Sequence, residues 1–253
     1  MKQLEKKYIP MLVKDYIKIQ YSGLKRYKRY YKYWYLAPFR KVGLGEERLV
    51  KMKEPEEFSG TYEEINNGEY QALDVKGKVV IDIGANVGVA SIYFAKKGAK
   101  KIISYEAVPI FSKIAEENIR KEGLQNKIII HNQLILETEK EVAVPNKKEM
   151  FSTKMNTFNG KKVNGTTLDK VVKTYKLNNA VIKMDIEGFE YKIFSKVSKE
   201  TLKHFGQIIL EFHDYGYLIL KNKLENCGFK TRVISIRKAN PYYSGILYAW
   251  RMN

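Results

Sequence analysis

Hydrophobic positions along the chain alternate between two periods. Short β-branched and aliphatic runs read as strands, and stretches with apolar residues three and four apart read as helices. The pattern predicts strands at 78–83, 101–105, 127–131, 180–185, 206–212, 229–236 and 245–251. It predicts helices near 88–97, 109–122, 167–176, 189–197 and 215–226. Strands alternating with helices imply an α/β fold with a parallel sheet covered on both faces. Only a loop with Asn240-Pro241 separates the last two strands, so they should form an antiparallel hairpin. Residues 137–165 carry Lys, Asn and Gly without a clear period and read as small strands or a loop. Residues 42–75 read as a linker with a lead-in helix around Tyr62–Ile65, followed by the turn signal Asn66-Asn67-Gly68. There is no internal repeat.

The first 41 residues keep a pattern of their own. Ile9, Leu12, Val13, Tyr16 and Ile17, then Leu24, Tyr27, Tyr31 and Trp34, hold helical spacing among many lysines and arginines. This predicts one or two basic amphipathic helices, interrupted near Ser22-Gly23 and ended by Ala37-Pro38. The chain therefore divides into a basic, aromatic-rich helical extension at 1–60 and an α/β domain at 61–253. Three readings of residues 1–41 stay open: an accessory helix packed on the domain, a contact for an anionic membrane surface, or an RNA grip that stacks bases on tyrosine.

Charge sharpens that division. The 253 residues include 46 Lys and Arg and 28 Asp and Glu, for a net charge of +18. Residues 1–53 hold 15 of the basic residues against Glu5, Asp15, Glu46 and Glu47, more than half of the excess. A lysine-rich composition explains a high pI and accounts less well for this concentration, which suits a polyanionic partner. Cys227 is the single cysteine, so no intrachain disulfide forms and a reducing compartment is expected. No apolar signal core follows the lysine-rich start, and no apolar run reaches the roughly 20 residues of a membrane span. The expectation is a cytoplasmic protein, attached at most to a membrane surface, with no indication of its oligomeric state.

The most informative segment is Val79-Val80-Ile81-Asp82-Ile83-Gly84-Ala85-Asn86-Val87-Gly88. A strand, a tight glycine turn and a helix in succession build a cofactor cradle at the carboxyl edge of an α/β sheet. Gly84 and Gly88 allow a sharp turn and close approach to a ligand. The spacing is G-x-N-x-G, with Asn86 where a dinucleotide fingerprint carries glycine. A pyrophosphate needs that backbone room, so NAD and FAD fit poorly. S-adenosylmethionine, which has no phosphates, fits better. Lys101-Ile102-Ile103-Ser104-Tyr105 then ends at Glu106, about 20 positions after the turn, where such folds hold ribose hydroxyls.

Three segments together resemble a known family. They are Val80–Gly88 with Tyr105-Glu106-Ala107-Val108-Pro109; Thr166-Thr167-Leu168-Asp169; and Val181-Ile182-Lys183-Met184-Asp185-Ile186-Glu187-Gly188-Phe189-Glu190 with Ile209-Leu210-Glu211-Phe212-His213. This pattern resembles the FkbM family of S-adenosylmethionine-dependent methyltransferases over about residues 60–213. K-x-D-x-E-G-x-E is its specific part. The resemblance implies a Rossmann-like, seven-stranded class I methyltransferase sheet with a C-terminal antiparallel hairpin. It implies that Asp82, Gly84, Ala85, Asn86 and Gly88 line the methionine side of the cofactor, that Glu106 holds its ribose, and that Asp185 and Glu187 sit beside the reacting methyl. Ala107-Val108-Pro109 departs from the family's usual Pro-Asn-Pro and alters the adenine end. Residues 1–60 lie outside the resemblance.

Methyl transfer to an alcohol needs in-line approach and a proton acceptor. Asp185, Glu187, Glu211 and His213 all fall at the carboxyl edge of the predicted sheet. Asp185 and Glu187, two apart in a continuing strand, share a face and rank first; Glu211 and His213 follow. Lys183 reads as a strand lysine held by a carboxylate, Glu190 as a first-turn acid favoured by the helix dipole, and His131 and His204 as incidental. Three scattered histidines and one cysteine form no metal-ligand cluster, though a carboxylate-bound Mg²⁺ near Asp185 and Glu211 is compatible with the sequence. The leading expectation is an O-methyltransferase acting on a hydroxyl of a glycan, glycolipid or small metabolite. The alternatives are an RNA methyltransferase that uses the basic extension, and a non-catalytic scaffold that keeps the fold.

Overall fold

A computed structural model describes residues 65, 68–144, 161–186, 189–213, 217–239 and 242–251. The expected helices of the basic extension lie outside these residues, and of the lead-in helix only Ile65 is among them.

The strands are β1 (Val79–Ile83), β2 (Lys101–Tyr105), β3 (Ile128–His131), β4 (Leu134–Ile135), β5 (Glu141–Val144), β6 (Lys161–Thr166), β7 (Ala180–Met184), β8 (Phe205–His213), β9 (Lys230–Ala239) and β10 (Tyr242–Trp250). The helices are α1 (Val89–Lys96), α2 (Pro109–Lys121), α3 (Leu168–Tyr175), α4 (Glu190–Lys196), α5 (Lys199–Leu202) and α6 (Tyr217–Asn226). Seven strands form one sheet in the order β3-β2-β1-β7-β8-β10-β9. The first five are mutually parallel, and β10 inserts antiparallel between β8 and β9. This is the predicted parallel sheet with a reversed terminal hairpin. Residues 137–165, the stretch without a clear period, contribute β5 and part of β6. With β4 these make a separate three-stranded sheet in the order β4-β6-β5.

Alternation along the strands sorts side chains onto two faces. Ile81, Ile83, Ile103, Tyr105, Ile182, Met184, Ile208 and Leu210 join one buried cluster with Leu168 and Val171 of α3, Ile193 and Phe194 of α4, and Leu220 and Leu224 of α6. Their neighbours in sequence, Val80, Asp82, Ile102, Ser104, Val181 and Lys183, face the opposite way and are equally buried. There Ser91 of α1 bonds Asp82 and Ser104. With both faces covered, the strands can be apolar throughout. The polar residues that interrupt them therefore mark something other than a solvated face.

The Thr166-Thr167-Leu168-Asp169 segment serves this packing. Thr167 caps α3 by accepting the Lys170 N–H at 3.2 Å. Asp169 accepts from the Thr201 hydroxyl and so ties α3 to α5.

Candidate active site

The loop after β1 is shaped by backbone crowding. Gly84 has φ +78°, and a Cβ there would sit 1.8 Å from the Asp185 carbonyl oxygen at the end of β7. Close approach at Gly84 is therefore to the neighbouring strand end. Gly88, at φ +87°, starts α1, and a Cβ there would lie 3.2 Å from Ala115 of α2. Asn86 also takes a left-handed conformation, φ 51°, which asparagine tolerates better than most residues.

The N–H groups of this loop are largely consumed by the end of β2. Gly84 and Ala85 both donate to the Tyr105 carbonyl at 3.0 Å, and Gly88 donates back to Ala85 at 2.8 Å. Asn86 N–H donates to Glu106 Oε2 at 2.8 Å, and Val108 N–H donates to Glu106 Oε1 at 2.7 Å. Few donors are left for a phosphate, which agrees with the reading of G-x-N-x-G. Glu106 thus clamps two loops, 84–88 and 106–109. Burial pushes its carboxyl above the ordinary value, against the pull of the two N–H bonds. Each oxygen keeps a further lone pair for a ribose hydroxyl. Asn132 Nδ2 braces the same strand end, donating to the carbonyls of Glu106 and Ala107 at 2.9 Å.

Beneath the loop runs a polar row. Ser104, Asp82 and Lys183 stand side by side on β2, β1 and β7. Asp82 is 0% and Lys183 3% exposed. Asp82 Oδ2 accepts from Ser91 Oγ at 2.6 Å, and Lys183 Nζ lies 3.5 Å from Asp82 Oδ1. The same ammonium donates to the Gly84 carbonyl at 3.0 Å. Asp82 is therefore a buried support under the cradle, one layer below its surface. Lys183 is a strand lysine held by a carboxylate, and it also fixes the turn.

At the end of β7, Asp185 N–H donates to the Ile83 carbonyl at 3.0 Å. Its Oδ1 is buried and has no hydrogen-bond partner among the described residues; Asn86 Oδ1 is in the same condition. A buried polar atom without a partner is costly, and a bound donor would satisfy either of these two acceptors. Met184 pairs with Leu210, which sets Glu211 on β8 next to Asp185. Glu187 lies outside the described residues, and of His213 only the backbone is described, paired with Ser244. Glu190 does more than complement a helix dipole. It is buried, and its Oε1 accepts the Ile186 N–H at 3.0 Å, tying the end of β7 to the start of α4.

The structure thus brings together Gly84, Ala85, Asn86, Gly88 and Glu106 as one cradle, with Asp185 and Glu211 alongside and Asp82 below. Residue-level reading missed the supports Ser91, Ser104, Asn132 and the second bond of Lys183. A serine in the otherwise apolar β2 was the available signal. His131 is packed rather than free: its ring stacks on Tyr105 at 5.1 Å and its Nε2 lies 2.6 Å from Tyr175 Oη. Burial holds its pKa below the usual histidine value. Among the described residues no three His, Cys, Asp or Glu converge as a metal site.

A parallel sheet with a reversed terminal pair, a phosphate-poor glycine cradle and an acid closing the second strand defines a methyltransferase architecture. The pattern of the methyltransferase FkbM domain matches residues 82–231. The chain belongs to that family, whose methyl donor is S-adenosylmethionine. A crystal structure of an FkbM methyltransferase from Methylobacillus flagellatus KT superposes with a TM-score of 0.50 at 16% identity, covering 71% of this chain and 45% of that one; this likeness concerns the fold. A ribosomal protein L11 methyltransferase of Carboxydothermus hydrogenoformans is 42% identical over 60 residues, 23% of this chain and 20% of the relative. A probable protein arginine N-methyltransferase 6 of Arabidopsis thaliana is 33% identical over 96 residues, 38% of this chain and 20% of the relative. The chain thus spans about a fifth of the length of these curated relatives.

Proposed function

We propose that the chain is an O-methyltransferase that binds S-adenosylmethionine in the Gly84–Gly88 cradle and methylates a hydroxyl of a glycan, glycolipid or small metabolite. Bound there, the cofactor supplies an electrophilic methyl group on a sulfonium. Glu106 holds the ribose hydroxyls, and Asn86 Oδ1 accepts from the cofactor's amino-acid end. Asp185 Oδ1 takes the proton of the acceptor hydroxyl, with Glu211 adding negative charge beside it. The observation that carries this reading is the buried Asp185 Oδ1, without a hydrogen-bond partner among the described residues, on a residue whose backbone carbonyl packs against Gly84. A general base must lie within reach of the proton it removes, and Asp185 is a carboxylate at the end of β7 with an oxygen that has no partner among the described residues. In this reading residues 61–253 carry the chemistry, and residues 1–60 gather an acceptor or a surface.

Calorimetric titration with S-adenosylmethionine, S-adenosylhomocysteine and NAD tests the cofactor. Both adenosyl ligands should bind and NAD should give no heat; silence from both would make the chain a scaffold. With an acceptor found by screening glycans, lipids and metabolites, Asp185→Asn should keep cofactor affinity within about threefold and lower turnover about a hundredfold or more. A fully active Asp185→Asn removes the proton role.

A further inference from the structure

The sequence places its basic excess in residues 1–53; the fold assembles a second concentration elsewhere. In a parallel α/β sheet, helices run opposite to strands, so strand starts and helix ends meet at the amino edge. Loops 74–78, 96–101 and 120–127 lie side by side there. Gly77 N–H donates to the Gly98 carbonyl at 2.9 Å, Lys100 N–H to Lys78 at 2.8 Å, and Ile102 N–H to Lys127 at 2.8 Å. Together they present Lys76, Lys100, Lys101, Arg120, Lys121 and Lys127. The acids in these loops are Asp74 and Glu122, and each is already paired, with Lys78 at 3.0 Å and Lys96 at 2.8 Å. None of the six cations makes an ion pair among the described residues. Complementing the dipole of α2 accounts for Arg120 and Lys121. It does not account for the four lysines outside helices.

The array is level. Lys101 stands opposite Val79, and Ile102 opposite Ile128, so three strand starts align at about 5 Å spacing. Among the described residues, the exposed large hydrophobic ones are Ile110, Leu218, Ile219, Ile234 and Ile236, and none lies in these loops. The patch therefore has no stacking platform of the kind single-stranded nucleic acid uses. It also lies a full strand, roughly 16 Å, from Asp185, so a nucleic acid held there would not thereby enter the cradle. A plane of lysines without apolar wedges suits phospholipid headgroups, each lysine favouring the surface roughly fivefold.

We propose that this amino edge docks the protein on an anionic phospholipid membrane. Docking leaves the carboxyl edge, with its cradle, facing solvent. The inference is independent of methyl transfer. Cosedimentation of the full chain with vesicles of phosphatidylcholine plus phosphatidylserine, against phosphatidylcholine alone, tests it. Binding should require phosphatidylserine and weaken with salt. The K100E/K121E/K127E variant should bind roughly ten-thousandfold more weakly while keeping its circular dichroism melt. If that variant folds poorly, K100Q/K121Q/K127Q replaces it, with a loss of about a hundredfold expected. Wild-type binding by the folded variant, no binding by the wild type, or a loss confined to K25E/R26E/K28E in the extension would overturn the proposal. So would tighter edge-dependent binding of an RNA oligonucleotide than of vesicles.

Discussion

The two edges of one sheet are built on opposite principles. At the carboxyl edge, acids predominate and backbone groups are almost fully spent: the loop N–H groups go to Tyr105 and Glu106, and Gly84 touches the Asp185 carbonyl. At the amino edge, the loops are exposed and basic, and six cations have no ion-pair partner among the described residues. Strands that differ little in the middle end in a crowded acidic cradle on one side and an open cationic plane on the other. The difference teaches that burial, more than charge, decides what a substitution costs. A buried edge cannot give way; an exposed one relaxes into water.

The largest break in this comparison should come from Gly84→Ala. The added carbon would meet the Asp185 carbonyl at 1.8 Å at a φ of +78°, so the β1 turn and the end of β7 must separate. We expect a loss of about 3 kcal/mol or more, a fall in melting temperature of roughly 10 °C and no measurable cofactor binding. Gly77→Ala, at the amino edge, has nothing within 4 Å of the added carbon. Its φ of +71° still costs about 1 kcal/mol, with cofactor binding retained. Equal melts for the two variants would show that crowding does not distinguish the edges.

Comparable in size is a contrast of two ion pairs. Lys183→Met leaves the Asp82 carboxylate buried and uncompensated, which costs about 3–5 kcal/mol. Adding Asp82→Asn should recover part of that loss, because the stranded charge is gone. At the amino edge, Lys78→Met breaks a pair with Asp74, whose side chain is 68% exposed. That should cost less than about 1 kcal/mol. Chemical denaturation of the three variants reads both numbers. A Lys183→Met loss as small as that of Lys78→Met would show that the Asp82 row does not hold the cradle.

Much of this was legible in the residues. Predicted strands at 78–83, 101–105 and 180–185 correspond to β1, β2 and β7 within a residue, because strong β-branched runs end at glycine or acid. The small sheet of β4, β5 and β6 was not, since two-residue Leu134–Ile135 and lysine-flanked β6 offer too little periodicity, and their partners are set by tertiary pairing. α5 is four residues long and shows only its Ser198 cap. In the site, which residues matter could be read, but not always what they touch. Gly84 reads as room for a ligand and turns out to be room for Asp185. Asp82 reads as cofactor lining and is found fully buried, bonded to Ser91 and beside Lys183. Contacts between neighbouring strands depend on register across distant segments, which no local pattern encodes.

The smallest effect, and the one that separates the edges by sign, is the response to pH. Burial raises the Glu106 carboxyl above its ordinary 4.5. Between that value and its raised one, the folded chain binds more protons than the unfolded chain, so this group's contribution is full below pH 4.5 and is lost as pH climbs. Asp74 runs the other way. Its bond to Lys78 lowers it from 3.8, so its contribution is present above pH 3.8 and lost as pH falls. Melting temperatures of Glu106→Gln and Asp74→Asn, each against wild type from about pH 3 to 7, should therefore diverge in slope. The Glu106→Gln curve gains on wild type as pH rises, because the substitution removes a charge that burial penalises. The Asp74→Asn deficit shrinks as pH falls, and added salt shrinks it further, since that pair is open to solvent. Parallel slopes would mean that the loops around Glu106 admit enough water to solvate its charge, and the carboxyl edge would then be as open as the amino edge.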